Sequence, residues 1–321
     1  MQSFAVQHGS QQFLEQQIAD PQPNEVVVAL RAAGLNHRDL MMKDRIGNQP
    51  DIYTLGSDGA GVVEKVGSEV SRFKIGDEVI INPSLNWYDK TSAPPDDFRI
   101  FDGTFAERTV ISEDFIEKKP DHLSWTEAGV FTLSALTGYR ALVTLGQIKR
   151  GETLFIPGVG GGVVSFIIQL AKAKGAYVIT TSRDPNKLKQ AEILGYDRAI
   201  LTDDNWEEQL ADEEIDLVIE TIGGATFNRS LGVLKKGGRI VTFGSSTEDQ
   251  FTLNLRQFFY GQYQLFGSTM GSREELRELL AFCEQHELRP LLDKGFPFTK
   301  IDQAFDHLSG QTQLGKVYVV M

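Results

Sequence analysis

The chain has 321 residues, 44 acidic and 32 basic side chains, a formal charge of −12 and 41% hydrophobic residues. At roughly 150 residues per domain this describes a globular chain of two domains with a large core, and it excludes low-complexity disorder and collagen-like repeats. No basic stripe offsets the acidic surplus, which argues against a nucleic-acid or anionic-membrane partner, and the stretch around residues 163–170, among the most apolar, falls far below the ~18 residues of a membrane span.

The first residues, Met1, Gln2, Ser3 and Phe4, show no charged region followed by an apolar one, so no signal peptide is expected and the cytoplasm is the expected location. Residues 1–122 read as strands and turns. The β-rich runs are 26–30, 62–66, 79–81 and 106–111, punctuated by Gly34, Gly56, Gly61, Gly67, Gly76 and Gly103. This predicts a compact, mostly antiparallel domain. Residues 82–102, with Pro83, Pro94 and Pro95, are the most loop-like stretch, long enough to be a functional or remnant loop.

From residue 123 the pattern alternates strand and helix. Strands are expected at 154–156, 177–181, 199–201, 215–221, 240–243 and 263–267. Helices are expected at 163–174, from the Asp184 cap and Pro185 to near Gly195, and at 226–234, where Gly237 and Gly238 end the last. Such alternation predicts right-handed βαβ units and an open parallel sheet. The expected domains are 1–122, completed by 272–321, and 123–271. The tail is expected to hold one helix and a strand at 317–320. Cys283 is the only cysteine, so it forms no intrachain disulfide and no multi-cysteine zinc site. Its helical spacing with Leu276, Leu279 and Leu280 marks a core thiol.

A glycine cluster, Gly158, Gly160, Gly161 and Gly162, follows the 154–156 strand and opens the next helix at Val163. Glycines allow a tight turn and close approach to a pyrophosphate, which the helix N-terminus then binds through free N–H groups. Val164 stands where the usual fingerprint ends in Gly or Ala, a position that governs helix–strand packing. The second strand ends in Thr181, Ser182 and Arg183 rather than in a carboxylate. An Asp or Glu there would accept from the ribose hydroxyls of NAD, whereas Arg183, with Lys187 one turn on, suits a 2′-phosphate. The expected cofactor is therefore NADPH.

Four stretches together resemble the medium-chain dehydrogenase/reductase superfamily, over essentially the whole chain. They are residues 32–39 (with Gly34, Asn36, His37 and Asp39), residues 55–79 (with Gly56, Ser57, Asp58, Gly61, Gly67, Gly76 and Asp77), residues 103–107, and residues 136–139 leading into the dinucleotide segment. The resemblance implies a GroES-like, mostly antiparallel β-domain joined to a Rossmann doubly wound parallel-sheet domain, an α/β architecture. Within the superfamily the chain resembles the zinc-free quinone oxidoreductase branch. Zinc alcohol dehydrogenases carry Cys where this chain has Asn36, Gly-His-Glu where it has Gly56, Ser57 and Asp58, and a third ligand roughly at Leu133. Asn36, Ser57 and Leu133 supply no thiolate, imidazole or carboxylate, and the structural-zinc cysteines are also missing, so no metal is expected. The five histidines are scattered singly, and His37 reads as a turn or surface residue.

The resemblance further implies that Asn36 sits beside the nicotinamide as a hydrogen-bond donor, although a capping role is open to it. Ser57 is expected to face the pocket, Asp58 to pair with an arginine, and Thr137 to contact the cofactor. Gly223 and Gly244 end the fourth and fifth strands, where open parallel sheets bind ligands. Phe266, Gly267 and Ser268 resemble the segment that holds the carboxamide. Trp87 and Tyr88 form either an aromatic wall or a plug for the remnant loop. The expected activity is zinc-independent hydride transfer from NADPH to a small-molecule quinone or α,β-unsaturated carbonyl, by a homodimer paired through the edge strand at 263–267. The alternatives are a zinc-type alcohol dehydrogenase with a non-standard metal site and a non-catalytic NADPH-binding relative.

Overall fold

A computed structural model describes residues 1–321, which divide into two compact units, Met1–Ser134 with Gly271–Met321, and Ala135–Met270. In the first unit the chain runs β1 (Gln2–Gln7), β2 (Ser10–Glu15), β3 (Glu25–Gly34), α1 (His37–Ile46), β4 (Tyr53–Thr54), β5 (Asp58–Val66), β6 (Glu78–Ile81), β7 (Ser84–Leu85), β8 (Arg99–Ile100), β9 (Arg108–Ser112), β10 (Ile116–Lys118) and α2 (Trp125–Gly129). Helix α3 (Thr132–Tyr139) leads into the second unit, which holds β11 (Thr153–Ile156), α4 (Gly162–Ala173), β12 (Tyr177–Ser182), α5 (Pro185–Ala191), β13 (Arg198–Leu201), α6 (Trp206–Gln209), β14 (Ile215–Glu220), α7 (Gly224–Val233), β15 (Leu234–Thr242), α8 (Leu255–Gly261) and β16 (Gln264–Gly267). The chain then returns to the first unit through α9 (Arg273–His286), β17 (Leu292–Pro297), α10 (Ile301–Ser309) and β18 (Lys316–Val320).

The first unit is built on a sheet with the path β10-β6-β5-β3-β18-β17, with β9 also on β3, beside a three-stranded β2-β1-β4 sheet. Val26, Val28, Val63, Val79 and Ile81 alternate inward from neighbouring strands into one core. A second core in this unit gathers Phe4, Leu35, Phe105, Phe305 and Val319, so segments from both chain ends close it. This is the GroES-like half of the fold. Sequence patterning overlooks α1, because its apolar positions are few and polar residues dominate it; Met42 and Asp39 are its only buried side chains. The tail also holds more than expected: two helices and two strands, with β17 broken by Gly295 and Pro297, residues that mask strand patterning.

The second unit is a six-stranded, all-parallel sheet in the order β13-β12-β11-β14-β15-β16, a Rossmann arrangement. Phe155, Val218, Trp206 and Phe227 fill one side of it. Gly237 and Gly238 lie inside β15 rather than ending α7. β15 advances five positions from Leu234 to Arg239 where β14 advances two, a bulge that Gly237 enters at φ 77°. Asp184 caps α5 as expected, its carboxylate accepting from the Asn186 N–H at 2.8 Å. The thiol of Cys283 is fully buried on α9, and burial pushes its pKa up, so it is an inert core group.

Candidate active site

Strand β3 is central, and its register assembles the first set of polar groups. It pairs antiparallel with β5, placing Gly34 opposite Asp58, and with β18, placing Gly34 opposite Tyr318. Two residues beyond Gly34, the same alignment brings Asn36 to Lys316. The Lys316 ammonium donates to Asn36 Oδ1 at 2.5 Å and to Asp58 Oδ2 at 3.2 Å. Asn36 Nδ2 donates to Asp58 Oδ2 at 3.1 Å, and the Leu133 N–H donates to Asp58 Oδ1 at 2.7 Å. Asp58 is 0%, Lys316 4% and Asn36 7% exposed, so these charges are held away from water and depend on each other. The expected arginine partner of Asp58 is therefore corrected to Lys316. Sequence patterning had no means of finding this lysine, which lies 258 residues from Asp58.

Asn36 does not cap α1 with its side chain. Its carboxamide is held by Lys316 and Asp58, while its backbone N–H donates to Asp39 Oδ2 at 2.8 Å. Ser57 is also corrected. Instead of facing a pocket it is fully buried, accepting from Arg38 Nη1 and donating to Asp102 Oδ1 at 3.0 Å. Arg38 and Asp102 form a two-pronged ion pair, and the Tyr53 hydroxyl donates to Asp102 Oδ2 at 2.8 Å. Burial and the Asp102 charge push the Tyr53 pKa up to about 12. In the 82–102 loop Trp87 is 1% exposed and stacks edge-on to Phe98, so it is a plug; Tyr88 is exposed. His37 is an exposed residue of α1.

The second unit carries the glycine turn. Gly158 takes φ 86°, its N–H donates to Thr181 Oγ1 at 3.1 Å, and the Val159 N–H donates to the Thr181 carbonyl at 2.9 Å. This ties the turn to the end of β12. Gly160 and Val163 are partly buried, Gly161 is the N-cap of α4, and Gly162 is its first residue. Nothing lies within 4 Å of where a Gly161 side chain would begin. Ser182 Oγ accepts from the Asp184 N–H at 3.1 Å, leaving Arg183 exposed at the strand end with no ion-pair partner. Lys187 follows one turn along α5.

The other strand ends differ. Gly244 and Gly267 stand in open surroundings, with one carbonyl at 3.5 Å from the former and nothing near the latter. Gly223, at φ 109°, is instead covered by Ser245, Thr247 and Glu248. Phe266 lies partly buried on β16, and the next serine, Ser268, has a buried hydroxyl with no hydrogen-bond partner. Thr137, on α3, donates to Met270 Sδ at 3.7 Å. Sequence reasoning missed Glu220, at the end of β14. Its fully buried carboxylate accepts from the Ile222 N–H (2.8 Å), the Gly223 N–H (3.3 Å), Thr226 Oγ1 (2.9 Å) and Ser230 Oγ (2.6 Å). The available signal was a carboxylate closing a nearly all-apolar strand.

The Alcohol dehydrogenase GroES-like domain matches residues 22–121, and the Zinc-binding dehydrogenase family matches residues 162–285. A zinc-type alcohol dehydrogenase-like protein of Schizosaccharomyces pombe is 32% identical, over 92% of this chain and 90% of its own. The chain belongs to the medium-chain dehydrogenase/reductase superfamily. A 2-methylene-furan-3-one reductase of Solanum lycopersicum is 31% identical over 95% of this chain and 74% of its own, and the human quinone oxidoreductase 25% over 94% and 90%. Among solved structures, an NAD-dependent alcohol dehydrogenase superposes with a TM-score of 0.92 at 29% identity, covering all of both chains. A 2-octenoyl-CoA carboxylase reductase in complex with NADP and 2-octenoyl-CoA superposes with a TM-score of 0.87 at 27% identity, covering 98% of this chain and 82% of that one.

Two groups implied by this family can be tested against the residues. A nicotinamide dinucleotide fits: Gly161 leaves room for a phosphate, α4 offers the N-terminus of a 12-residue helix, and Ser268 has an unmet hydroxyl. Zinc does not fit. No three His, Cys, Asp or Glu side chains converge anywhere, Asn36 and Ser57 are neutral and already bonded, and the Asp58 carboxylate is held by an ammonium.

Asp39 yields a test of this buried polar region. It is fully buried, and burial pushes its pKa up to about 7 from 3.8. The folded state thus holds a proton that the unfolded state releases, so this group's contribution to stability is present at low pH and is lost as pH rises from about 4 to about 7. Melting curves across that interval should show the wild type losing ground to Asp39→Asn as pH rises; a constant difference between the two would refute the assignment.

Proposed function

We propose that the protein is an NADPH-dependent, zinc-independent oxidoreductase that reduces quinones or α,β-unsaturated carbonyls. The observation that carries this reading is the Lys316–Asp58–Asn36 cluster, which puts an ammonium bonded to a carboxamide and a carboxylate at two of the positions where zinc alcohol dehydrogenases hold their metal, while Ser57 at the third is bonded to Arg38 and Asp102. Without that Lewis acid, an unactivated alcohol or ketone is poorly polarised. Quinones and enones need less help, because the arriving electron pair is delocalised onto oxygen. When bound, NADPH supplies the hydride. The chain's own part is to orient both reactants and exclude water. The quinone oxidoreductase, the 2-methylene-furan-3-one reductase and the 2-octenoyl-CoA carboxylase reductase to which the chain is similar are all named for conjugated acceptors.

The roles divide by unit. We assign the unit Ala135–Met270 to the dinucleotide and the unit Met1–Ser134 with Gly271–Met321 to the substrate, a boundary about a dozen residues later than the expected one at 122/123. Gly160, Gly161, Gly162 and Val163 cradle the pyrophosphate at the α4 N-terminus. Ser182, Arg183 and Lys187 receive the 2′-phosphate, which favours NADPH over NADH because a guanidinium pairs with a phosphate through charge-assisted bonds. Gly223, Gly244, Phe266, Gly267 and Ser268 border the nicotinamide half, Gly223 indirectly through the turn that Glu220 fixes. Thr137 contacts the cofactor. Asn36 donates to the substrate oxygen. Ser57 acts at one remove, steadying Arg38 and Asp102. The chain works as a homodimer paired along β16, a sheet edge with exposed Leu265 beside exposed Phe259 and Tyr260 of α8.

NADPH consumption measured against quinones, enones, aldehydes and alcohols, with and without a chelator, should show turnover with the first two classes only and no chelator effect. Activity confined to alcohols or aldehydes and abolished by chelation would sink the proposal. Arg183→Ala should weaken NADPH binding by about tenfold or more and leave NADH nearly unchanged; an equal loss for both removes the 2′-phosphate role. Leu265→Lys should convert a dimer to a monomer in size-exclusion chromatography, and a wild type that already elutes as a monomer contradicts the edge pairing.

A further inference from the structure

The buried lysine has a consequence for the chemistry of Asn36. Lysine's ammonium only donates hydrogen bonds, and an ionised carboxylate only accepts them. Asn36 lies between the two, which fixes its carboxamide: Oδ1 faces Lys316 Nζ at 2.5 Å, and Nδ2 faces Asp58 Oδ2 at 3.1 Å. One N–H of Nδ2 is thereby used, and the second has no partner in the chain. An ammonium bonded to an amide oxygen draws electron density toward that oxygen and makes the amide N–H groups better donors, an effect strengthened by low local dielectric.

We propose that Lys316 is a positioning residue that serves as an internal cation, orienting and polarising Asn36 so that its remaining N–H stabilises negative charge developing on the substrate's carbonyl oxygen. This rests on the reduction of conjugated acceptors proposed above. For an enone, the donor C–H bond of the reduced nicotinamide would break as a C–H bond forms at the β-carbon, the C=C pair would shift to lie between the α-carbon and the carbonyl carbon, and the C=O π pair would move onto the oxygen. The acceptor gains two electrons and the nicotinamide loses them. Asn36 holds the resulting oxyanion, and solvent delivers the proton to the α-carbon. Asp58 completes the device. It neutralises the lysine and takes the other Asn36 N–H, while the Leu133 N–H occupies its second oxygen.

The test is a double-mutant cycle on the full-length protein. Lys316→Met alone leaves a buried carboxylate unpaired, and Asp58→Asn alone leaves a buried ammonium, so each should lower Tm. The variant with both substitutions should recover most of that loss, because no charge is stranded. It should also bind NADPH within twofold of the wild type yet show a kcat about tenfold to hundredfold lower toward an enone, with KM little changed. A double variant with wild-type kcat would overturn the positioning role, and Tm losses that simply add would overturn the internal ion pair. A wild type inert toward every acceptor overturns the proposed function instead. In that event non-additive melting still upholds the buried cation and additive melting rejects it.

Discussion

One buried ion pair ties the first unit together. Moving a carboxylate and an ammonium out of water costs several kcal/mol each, and the cost is offset only where geometry pairs them and satisfies their remaining hydrogen-bonding groups. Asp58 and Lys316 meet that condition because β3 is flanked on one side by β5 and on the other by β18. The pair therefore requires the last strand of the chain to return and lie against a strand formed nearly 300 residues earlier. The core makes the same demand, since Val319 and Phe305 pack with Phe4, Leu35 and Phe105. Charge pairing and apolar burial thus enforce one topology.

The unit Ala135–Met270 shows the opposite arrangement of polar groups. Its buried carboxylate, Glu220, is saturated by four donors and rigidifies the turn at Gly223. Around that fixed turn, groups at other strand ends remain free: the space at Gly161, the open backbone at Gly267, the Arg183 guanidinium and the Ser268 hydroxyl. A folded protein rarely leaves a buried hydroxyl unmet unless something else meets it. These free groups cluster at the carboxyl ends of the parallel strands, where the strand order reverses about β11 and β14. The unit is saturated at the Glu220 turn and unsatisfied where the dinucleotide is proposed to bind.

How much of this can be read from sequence depends on how local the cause is. The parallel sheet is legible because each of its strands is a short apolar run followed by a helix, and the glycine turn is legible because its chemistry sits in consecutive residues. The Asp184 cap is legible for the same reason, since donor and acceptor are two residues apart. Helix α1 is obscured because its polar sequence is held by tertiary contacts rather than by amphipathic periodicity. The environments of Ser57 and Asp58 are illegible, because Asp102 and Lys316 reach them through sheet register and not through spacing. Adjacent in the sequence, Ser57 and Asp58 point into two different networks, Ser57 from the bend before β5 and Asp58 from the first position of that strand.

The nature of the buried cation also constrains what such a site can reduce. A metal ion binds a substrate oxygen directly and polarises it strongly, which suffices for carbonyls with no other activation. An ammonium acting through a carboxamide delivers a hydrogen bond from a neutral donor, a weaker demand on the substrate's electrons. Acceptors that spread the incoming pair over a conjugated system fall within the reach of that donor, and simple ketones do not. The lysine also remains where the backbone of β18 puts it, with 4% of its surface exposed, so it cannot exchange with solvent as a bound ion can. In the function proposed above, specificity for activated acceptors follows from the strength of the electrophilic assistance rather than from the shape of a pocket alone.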